Sequence, residues 1–381
     1  MKVKIFSRIG LLKFLDATAG SALCWWLGYL HYWRGGAPAP VVPDAIRRIL
    51  LIRPGGMGDM ILLLPAIESL RRRFPAAEIH VVCETRNRPV LALAGLDGHA
   101  LAYDAEPLRV LRQLRRAAYD VVVDTEQFHH FSAVMAWISR APIRIGYKIS
   151  PARNLLYTHL INYALDGFEG EQFLRLLAPL GAEAGAPRLE GLLAGAAPDL
   201  AALPEGPRAA LRRARPYVAF GPGTQARYKE WDRAKFAELA EILVRERGLD
   251  VMVVGGRDGA SAGERIRARL PADRCASFAG ALSLPETAAV LKGARAYVGV
   301  DSGLAHLAAA VGAPTVVVFG PSAALKWGLA DARHAVVRRP VACAPCFIFG
   351  YHRPCRTIAC MAGVSVADVL AACDAVLEQK G

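Results

Sequence analysis

The chain has 381 residues, 54% of them hydrophobic and 21% charged, which excludes a disordered chain and gives length enough for two domains with separate cores. Its formal charge of +13 calls for a partner that tolerates positive charge: an anionic membrane surface, a phosphorylated substrate or nucleic acid. No basic arm with interleaved aromatics and no nucleic-acid module stands in the sequence, so the expectation is a membrane or phosphate partner and no nucleic acid.

The first forty residues differ from the rest. Lys2, Lys4, Arg8 and Lys13 precede "GSALCWWLGYLHYWRGG", an apolar, aromatic-rich stretch containing Arg34. Lys13 and Asp16 leave the uninterrupted part shorter than the ~20 residues of a spanning helix. No small-residue cleavage site follows, which speaks against a signal peptide. Trp25, Trp26, Trp33, Tyr29 and Tyr32 are residue types that favour lipid headgroups. An amphipathic, membrane-type helix lying in the interface is expected over residues 1–45, its basic end on anionic lipid. The plainer alternative is a helix packed on the protein's own surface.

From residue 49 the chain alternates β-rich runs with amphipathic segments. Residues 49–53, 79–82, 121–124 and 141–147 read as strands, the first three as buried parallel ones. An Ala/Pro/Gly-rich stretch over 181–207 is the best linker candidate. The rhythm restarts with β-rich runs at 217–221, 250–255, 296–300 and 315–320. Two βα arrays predict an α/β chain of two Rossmann-like domains facing a central cleft. The boundaries are 46–185, a linker at 186–210, 211–363 with four clustered cysteines, and a closing helix over 364–381.

Three stretches carry chemistry. In "RPGGMGDMILLLPAIESLRRRFP", Gly55, Gly56 and Gly58 crowd a strand-to-helix turn. A dinucleotide fingerprint needs a third glycine where Ile61 stands, and a P-loop needs a lysine; both are missing. Asp59 sits instead near the helix start, either capping free N–H groups or facing the crevice beyond the strand. In "FGPGTQARYKEWDRAKFAELAEIL", Gly223, Thr224 and Lys229 offer N–H groups, a hydroxyl and a cation to a diphosphate; otherwise this is an ordinary loop with Trp231 packed and Lys229 solvated. In "VGVDSGLAHLAAAVGAPTVVVFGP", Asp301, Ser302 and Gly303 open a small-residue helix carrying His306, its N-terminus suited to an anion and Asp301 to sugar hydroxyls.

In order and spacing, "GGMGDMILLLPAIESLRRRFP", "GPGTQARYKEWD" and "DSGLAHLAAAVGAPTVVVFGP" resemble glycosyltransferase family nine, the heptosyltransferases. The resemblance implies a GT-B fold and transfer of heptose from ADP-heptose to a lipopolysaccharide-core glycolipid on the cytoplasmic face of the inner membrane. It implies that Asp59 is the general base, that Thr224 and Lys229 touch the donor phosphates, and that Asp301, Ser302, Gly303 and His306 form the donor sugar and phosphate loop. Asp258 or Glu264 is the expected ribose contact. Such a reaction needs a base and positive charge at the leaving phosphate; with a helix N-terminus and Lys229 supplying the charge, no metal is required for catalysis, and transfer inverts the anomeric carbon. Two alternatives remain open: protein O-heptosyl transfer on the same fold, and a non-enzymatic nucleotide-sugar or polyanion-binding protein.

"CAPCFIFGYHRPCRTIACM" brings Cys343, Cys346, Cys355 and Cys360 together, a set suited to a structural zinc or iron, or else four reduced cysteines packed among aromatics. Some protein-glycosylating relatives are thought to bind iron in a comparable segment. Cys24, Cys83, Cys275 and Cys373 read as isolated packing residues.

Overall fold

The computed structural model describes residues 14–33, 41–42, 45–182, 187–349, 351–352 and 355–379. Lys2, Lys4, Arg8 and Lys13, expected as the basic end of the first helix, lie outside these residues, as do Arg34 and the side chains of Tyr32 and Trp33. The chain forms two compact units, Met1–Pro187 and Arg188–Gly381.

In the first unit β1 (Arg48–Ile52), β2 (Glu78–Cys83), β3 (Ala100–Ala102), β4 (Val121–Asp124), β5 (Ile143–Tyr147) and β6 (His159–Ile161) form one sheet in the order 3-2-1-4-5-6. Every pairing is parallel, with Ile49 beside Ile79 on one side and Val121 on the other. Helices cover both faces, so the central strands read as continuous apolar runs, and all residues of β4 and β5 are buried.

The helices that position its functional edge and its surface are α1 (Ser21–Trp33), α2 (Met57–Arg73), α3 (Pro107–Arg116), α4 (His130–Ile138), α5 (Pro151–Asn154) and α6 (Glu169–Arg175). Helices α2 and α6 pack together. Helices α1, α3, α4 and α5 share another cluster, in which Cys24, Leu27, Val110, Leu114 and Met135 meet Leu50, Ile52 and Val122 of the sheet.

The first helix is therefore built into the unit on one side. Cys24 and Leu27 are buried, the latter worth about 1.5–3 kcal/mol. The Gly28 Cα sits so close to Leu155 that a Cβ there would lie 2.5 Å from its Cβ. Asp16, which in the sequence only interrupts an apolar stretch, is buried, and its carboxylate accepts the N–H groups of His130 and Phe131 at 2.9 Å each, capping α4. Trp25, Trp26 and Tyr29 point away from the core, more than half exposed. No helix among the described residues is long and apolar enough to cross a membrane.

The second unit repeats the design. Strands β7 (Tyr217–Gly221), β8 (Asp250–Val253), β9 (Cys275–Ser277), β10 (Ala296–Val300), β11 (Thr315–Phe319) and β12 (His334–Arg338) are all parallel, in the order 12-11-10-7-8-9. Counted from β7, this is again 3-2-1-4-5-6. Its helices include α7 (Arg233–Glu246), α8 (Gly303–Ala310) and α9 (Val366–Glu378). The Ser365–Asp368 capping box starts α9, which buries Val366, Val369, Cys373 and Val376 along one stripe. Within the segment expected as linker, Leu189, Leu193, Ala197 and Leu203 are buried, and the Gly191 and Leu193 N–H groups donate to Ala309 and Ala310 at the end of α8. That part of the stretch is packed chain of the second unit.

Candidate active site

In a 3-2-1-4-5-6 sheet the strand order reverses between the first and fourth strands, and ligands bind beyond their carboxyl ends. In the first unit this edge carries Arg53 to Asp59 after β1 and Asp124 to Gln127 after β4. Gly55 has φ +120°, a backbone state open to glycine. Gly56 is the N-cap of α2 and Gly58 lies in its first turn. Asp59, one residue further, is therefore not the capping residue. Its carboxylate pairs with the Arg53 guanidinium at 3.2 Å and stays about a fifth exposed.

Arg53, inside the quoted stretch yet assigned no role from sequence, organises this edge. It is 4% exposed and donates to the Thr125 carbonyl at 2.8 Å, while its guanidinium lies 5.1 Å from the Phe173 ring centre. Burial works against its charge, but the carboxylates of Asp59, Glu126 and Glu169 raise its pKa further than burial lowers it. Burial alone would raise the Glu126 carboxyl; His129 at 3.2 Å, with Arg53 and Arg153, draws it down from an ordinary 4.5 to about 2. Below lies a buried network. Arg153 contacts Asp124 at 3.2 Å, the Glu126 carbonyl at 2.6 Å, the Gln127 carbonyl and the Tyr157 hydroxyl, which in turn donates to Asp124. Glu169 accepts from Tyr163 at 2.7 Å and from Gln127.

The second unit's edge is built differently. After β10, Ser302 is the N-cap of α8 and makes no side-chain cap; the Ala305 N–H donates to the Ser302 carbonyl at 3.1 Å, which leaves the Gly303 and Leu304 N–H groups to open the helix. His306 is buried within the same helix. After β7 comes the loop of Gly223 and Thr224, which leads to Lys229. The Lys229 ammonium donates to Asp301 at 2.6 Å and sits 4.3 Å from the Phe347 ring centre. The ordinary-loop reading holds for Trp231, which is buried with its indole N–H on the Val364 carbonyl, but not for Lys229, whose side chain is 14% exposed. Glycine at 221 is a packing demand, since a Cβ there would lie 2.1 Å from the Tyr297 hydroxyl. Gly223 packs on the turn after β8: its Cβ would meet Gly259 at 2.7 Å and Asp258 at 3.0 Å. Of the two acidic candidates, Asp258 thus lies against the Gly223 loop, whereas Glu264 is exposed and paired with Arg267 at 2.8 Å.

The description of glycosyltransferase family 9 (heptosyltransferase) matches residues 108–355, about two thirds of the sequence. The chain belongs to glycosyltransferase family 9. It is a glycosyltransferase, which removes the non-enzymatic reading. A family 9 relative from Pseudomonas aeruginosa, lipopolysaccharide heptosyltransferase 1, is 29% identical over 315 residues, covering 78% of this chain and 86% of its own. Among solved structures, the Escherichia coli ADP-heptose lipopolysaccharide heptosyltransferase II aligns with TM-score 0.65 and 23% identity over 87% of this chain and 99% of its own. The E. coli heptosyltransferase WaaC with ADP aligns with TM-score 0.65 and 20% identity, over 87% and 98%. Both share the fold.

In this family 9 chain the four clustered cysteines border the second edge. Cys360 is buried beneath the loop after β11, where a Cβ on Gly320 would lie 3.2 Å from its sulfur. Burial raises its thiol pKa, and Cys346, Cys343 and Cys355 are near enough to raise it further. Cys355 is exposed and accepts the Ile358 N–H at 3.3 Å. No three of the four sulfurs lie within 4.8 Å of one another; among the described residues that spacing occurs at Glu78, His80 and His99, where Arg48 and Tyr119 also bind. Cys24, Cys83, Cys275 and Cys373 are buried, and burial pushes each thiol up to about 12, as expected of packing residues.

Proposed function

We propose that the protein transfers heptose, or a similar sugar, from an ADP-linked donor to a lipopolysaccharide-core glycolipid, with inversion and without a catalytic metal. The observation that carries this reading is the division of chemistry between two equivalent sheet edges: an arginine-held carboxylate at one, and an uncapped helix N-terminus with a lysine at the other. The names of the P. aeruginosa relative and of the two E. coli structures support the donor and acceptor classes.

In this reading Asp59 takes the proton of the acceptor hydroxyl while the hydroxyl oxygen bonds to the anomeric carbon. The bond from that carbon to the diphosphate breaks, and the electron pair leaves on the nucleotide. The N–H groups opening α8 and the Lys229 ammonium receive the developing charge, so no divalent cation is needed there. Asp301 holds Lys229 and offers its other acceptor sites to sugar hydroxyls; Gly223, Thr224, Ser302, Gly303 and His306 line the donor, and Asp258 takes the ribose. Arg53 keeps the Asp59 carboxylate aimed.

Cys343, Cys346, Cys355 and Cys360 would hold a zinc or iron ion, which would stiffen the loop they close. The N–H donated to Cys355 fits a thiolate ligand. The exposed tryptophans of α1 support a peripheral location on the cytoplasmic face of the inner membrane, beside a lipid-linked acceptor. The cysteine quartet favours the second reading, protein O-heptosyl transfer.

A nucleotide-sugar binding panel tests the donor: ADP-linked sugars should bind tightest, and a clear preference for UDP-sugars overturns the reading. Labelled donor offered to glycolipid and protein together tests the acceptor. Label in the glycolipid is expected; label only in protein selects the second reading.

A further inference from the structure

The two helical layers of the first unit differ at their surfaces. Helices α2 and α6 expose no large hydrophobic side chain. The layer of α1, α3, α4 and α5 exposes Trp25, Trp26, Tyr29, Phe131 and Leu155, together with Leu108 and Leu111 on α3. The helices that carry them are packed together through α4 and Leu155. A Cβ at Gly28 would strike Leu155, one at Gly20 would touch Phe131, and α4 packs against both α1 and α3.

Helix α3 adds charge to this apolar face. Val110 and Leu114 turn inward, while Arg109, Arg112, Arg115 and Arg116 are exposed beside Leu108 and Leu111. Arg109 pairs with Glu106 at 2.6 Å; Arg112, Arg115 and Arg116 make no ion pair among the described residues. Three of the arginines line one open depression with Gln113 and Ala117. The nearby acid on α1's side, Asp16, is consumed by the α4 cap.

We propose that this helical layer is a docking face for an anionic bilayer, anchored at two points: the aromatic side of α1 and the arginine side of α3. This face rests on the proposed membrane location and extends it from an N-terminal segment to a composite surface. Leucines beside arginines on α3, with tryptophans and a tyrosine on α1 of the same layer, match the depth profile of a headgroup region: apolar parts enter, and guanidiniums stay at the phosphates. Charge complementarity selects an anionic surface, because the exposed ionic groups of α3 are all basic.

The test is co-sedimentation of the full chain with phosphatidylglycerol/phosphatidylethanolamine vesicles and with pure phosphatidylcholine vesicles. Binding to the anionic vesicles, weakening as salt rises, is expected. The Arg109→Gln/Arg112→Gln/Arg116→Gln variant should lose on the order of a hundredfold in that partitioning, at roughly one tenfold step or less per arginine. Trp25→Ser/Trp26→Ser should lose binding as well; since these side chains are exposed, unfolding curves of both variants should match the wild type. Wild-type binding by the arginine variant, or equal binding to phosphatidylcholine, overturns the proposal. So does a protein dimer in vesicle-free solution that the tryptophan variant dissociates, because a second copy would then cover the face.

Transfer to a soluble, deacylated acceptor separates the docking face from the function it rests on. The arginine variant should keep wild-type kcat/KM there; a raised KM would make the arginines acceptor contacts and overturn docking. A wild-type chain that binds vesicles but transfers nothing would instead sink the transfer reading and leave the docking face standing.

Discussion

Strand for strand the two units have one topology, yet their switch-point edges hold opposite kinds of chemistry. In the first, side chains do the work: a buried arginine gathers Asp59, Glu126 and Glu169, and Arg153 ties the loop after β4 beneath them. In the second the backbone dominates, with an uncapped helix start, glycines at 221 and 223 that allow close packing, and one lysine held by one aspartate. A proton acceptor needs a fixed, charged side chain, whereas a departing diphosphate spreads its charge over several oxygens and suits an array of N–H groups. In the proposed reading the same fold would serve both halves of a group transfer by exchanging side-chain for main-chain electrostatics.

Removing the proposed base should have the largest effect. Asp59→Ala is expected to lower transfer by about 10³–10⁴-fold while leaving ADP-sugar affinity within a factor of two, measured by turnover and calorimetry. Near-normal turnover would remove Asp59 from the mechanism.

Arg53→Met comes next and separates the edges by stability. It strands buried carboxylates in the first unit, so a loss of roughly 3–5 kcal/mol is expected in denaturant unfolding, with nucleotide binding by the folded fraction unchanged. An unchanged unfolding midpoint would show that the network does not depend on this cation.

Lys229→Met should weaken donor binding and reduce kcat/KM by about 10²–10³-fold, read from donor titrations and initial rates. If Lys229 acts only by neutralising Asp301, the double change Lys229→Met/Asp301→Asn will restore the donor affinity, and the phosphate role falls.

The pH dependence should be smaller, and in the first unit it is read at Glu126. Glu126 is held at about 2, below its ordinary 4.5, so its stabilising contribution is complete above pH 4.5 and fades as pH falls towards 2. Asp124, whose carboxyl burial pushes up, acts in the opposite sense, favouring the fold when protonated. Glu126→Gln should flatten the acid limb of thermal unfolding between pH 5 and 3, taken as roughly the accessible part of that window; an unaltered limb would assign acid lability elsewhere.

The smallest effect is expected at Asp16→Ala. Losing the α4 cap costs about 1 kcal/mol, and because Asp16 also anchors the N-terminal helix, amide exchange in α1 should rise while exchange in β7–β12 stays put.

Legibility from sequence followed burial. The strands read correctly were the inner ones, β1, β2, β4, β5, β7, β8, β10 and β11, whose runs are apolar because both faces are covered. Within the two six-stranded sheets the strands missed, β3, β6, β9 and β12, are the four edges, three of them only three residues long, where half-exposure erases the apolar run. Asp59, Lys229 and Asp301 were readable as candidates because each follows a readable strand end and belongs to a spaced motif. Glu126 and Arg153 were not. Their signal is a charged residue that becomes buried, and a linear pattern does not say which charges will meet.

What the sequence by itself determined is the doubly repeated βα rhythm, the family, and the residues at the ends of the inner strands, because apolar periodicity and glycine turns are local properties. What only the tertiary structure decided is which charges are partners. Asp59 with Arg53, Lys229 with Asp301, and Asp16 with the start of α4 span 6, 72 and 114 residues, the last two far beyond any local pattern. A salt bridge or cap takes its strength from distance and burial, and those exist only once parallel strands have set distant loops side by side.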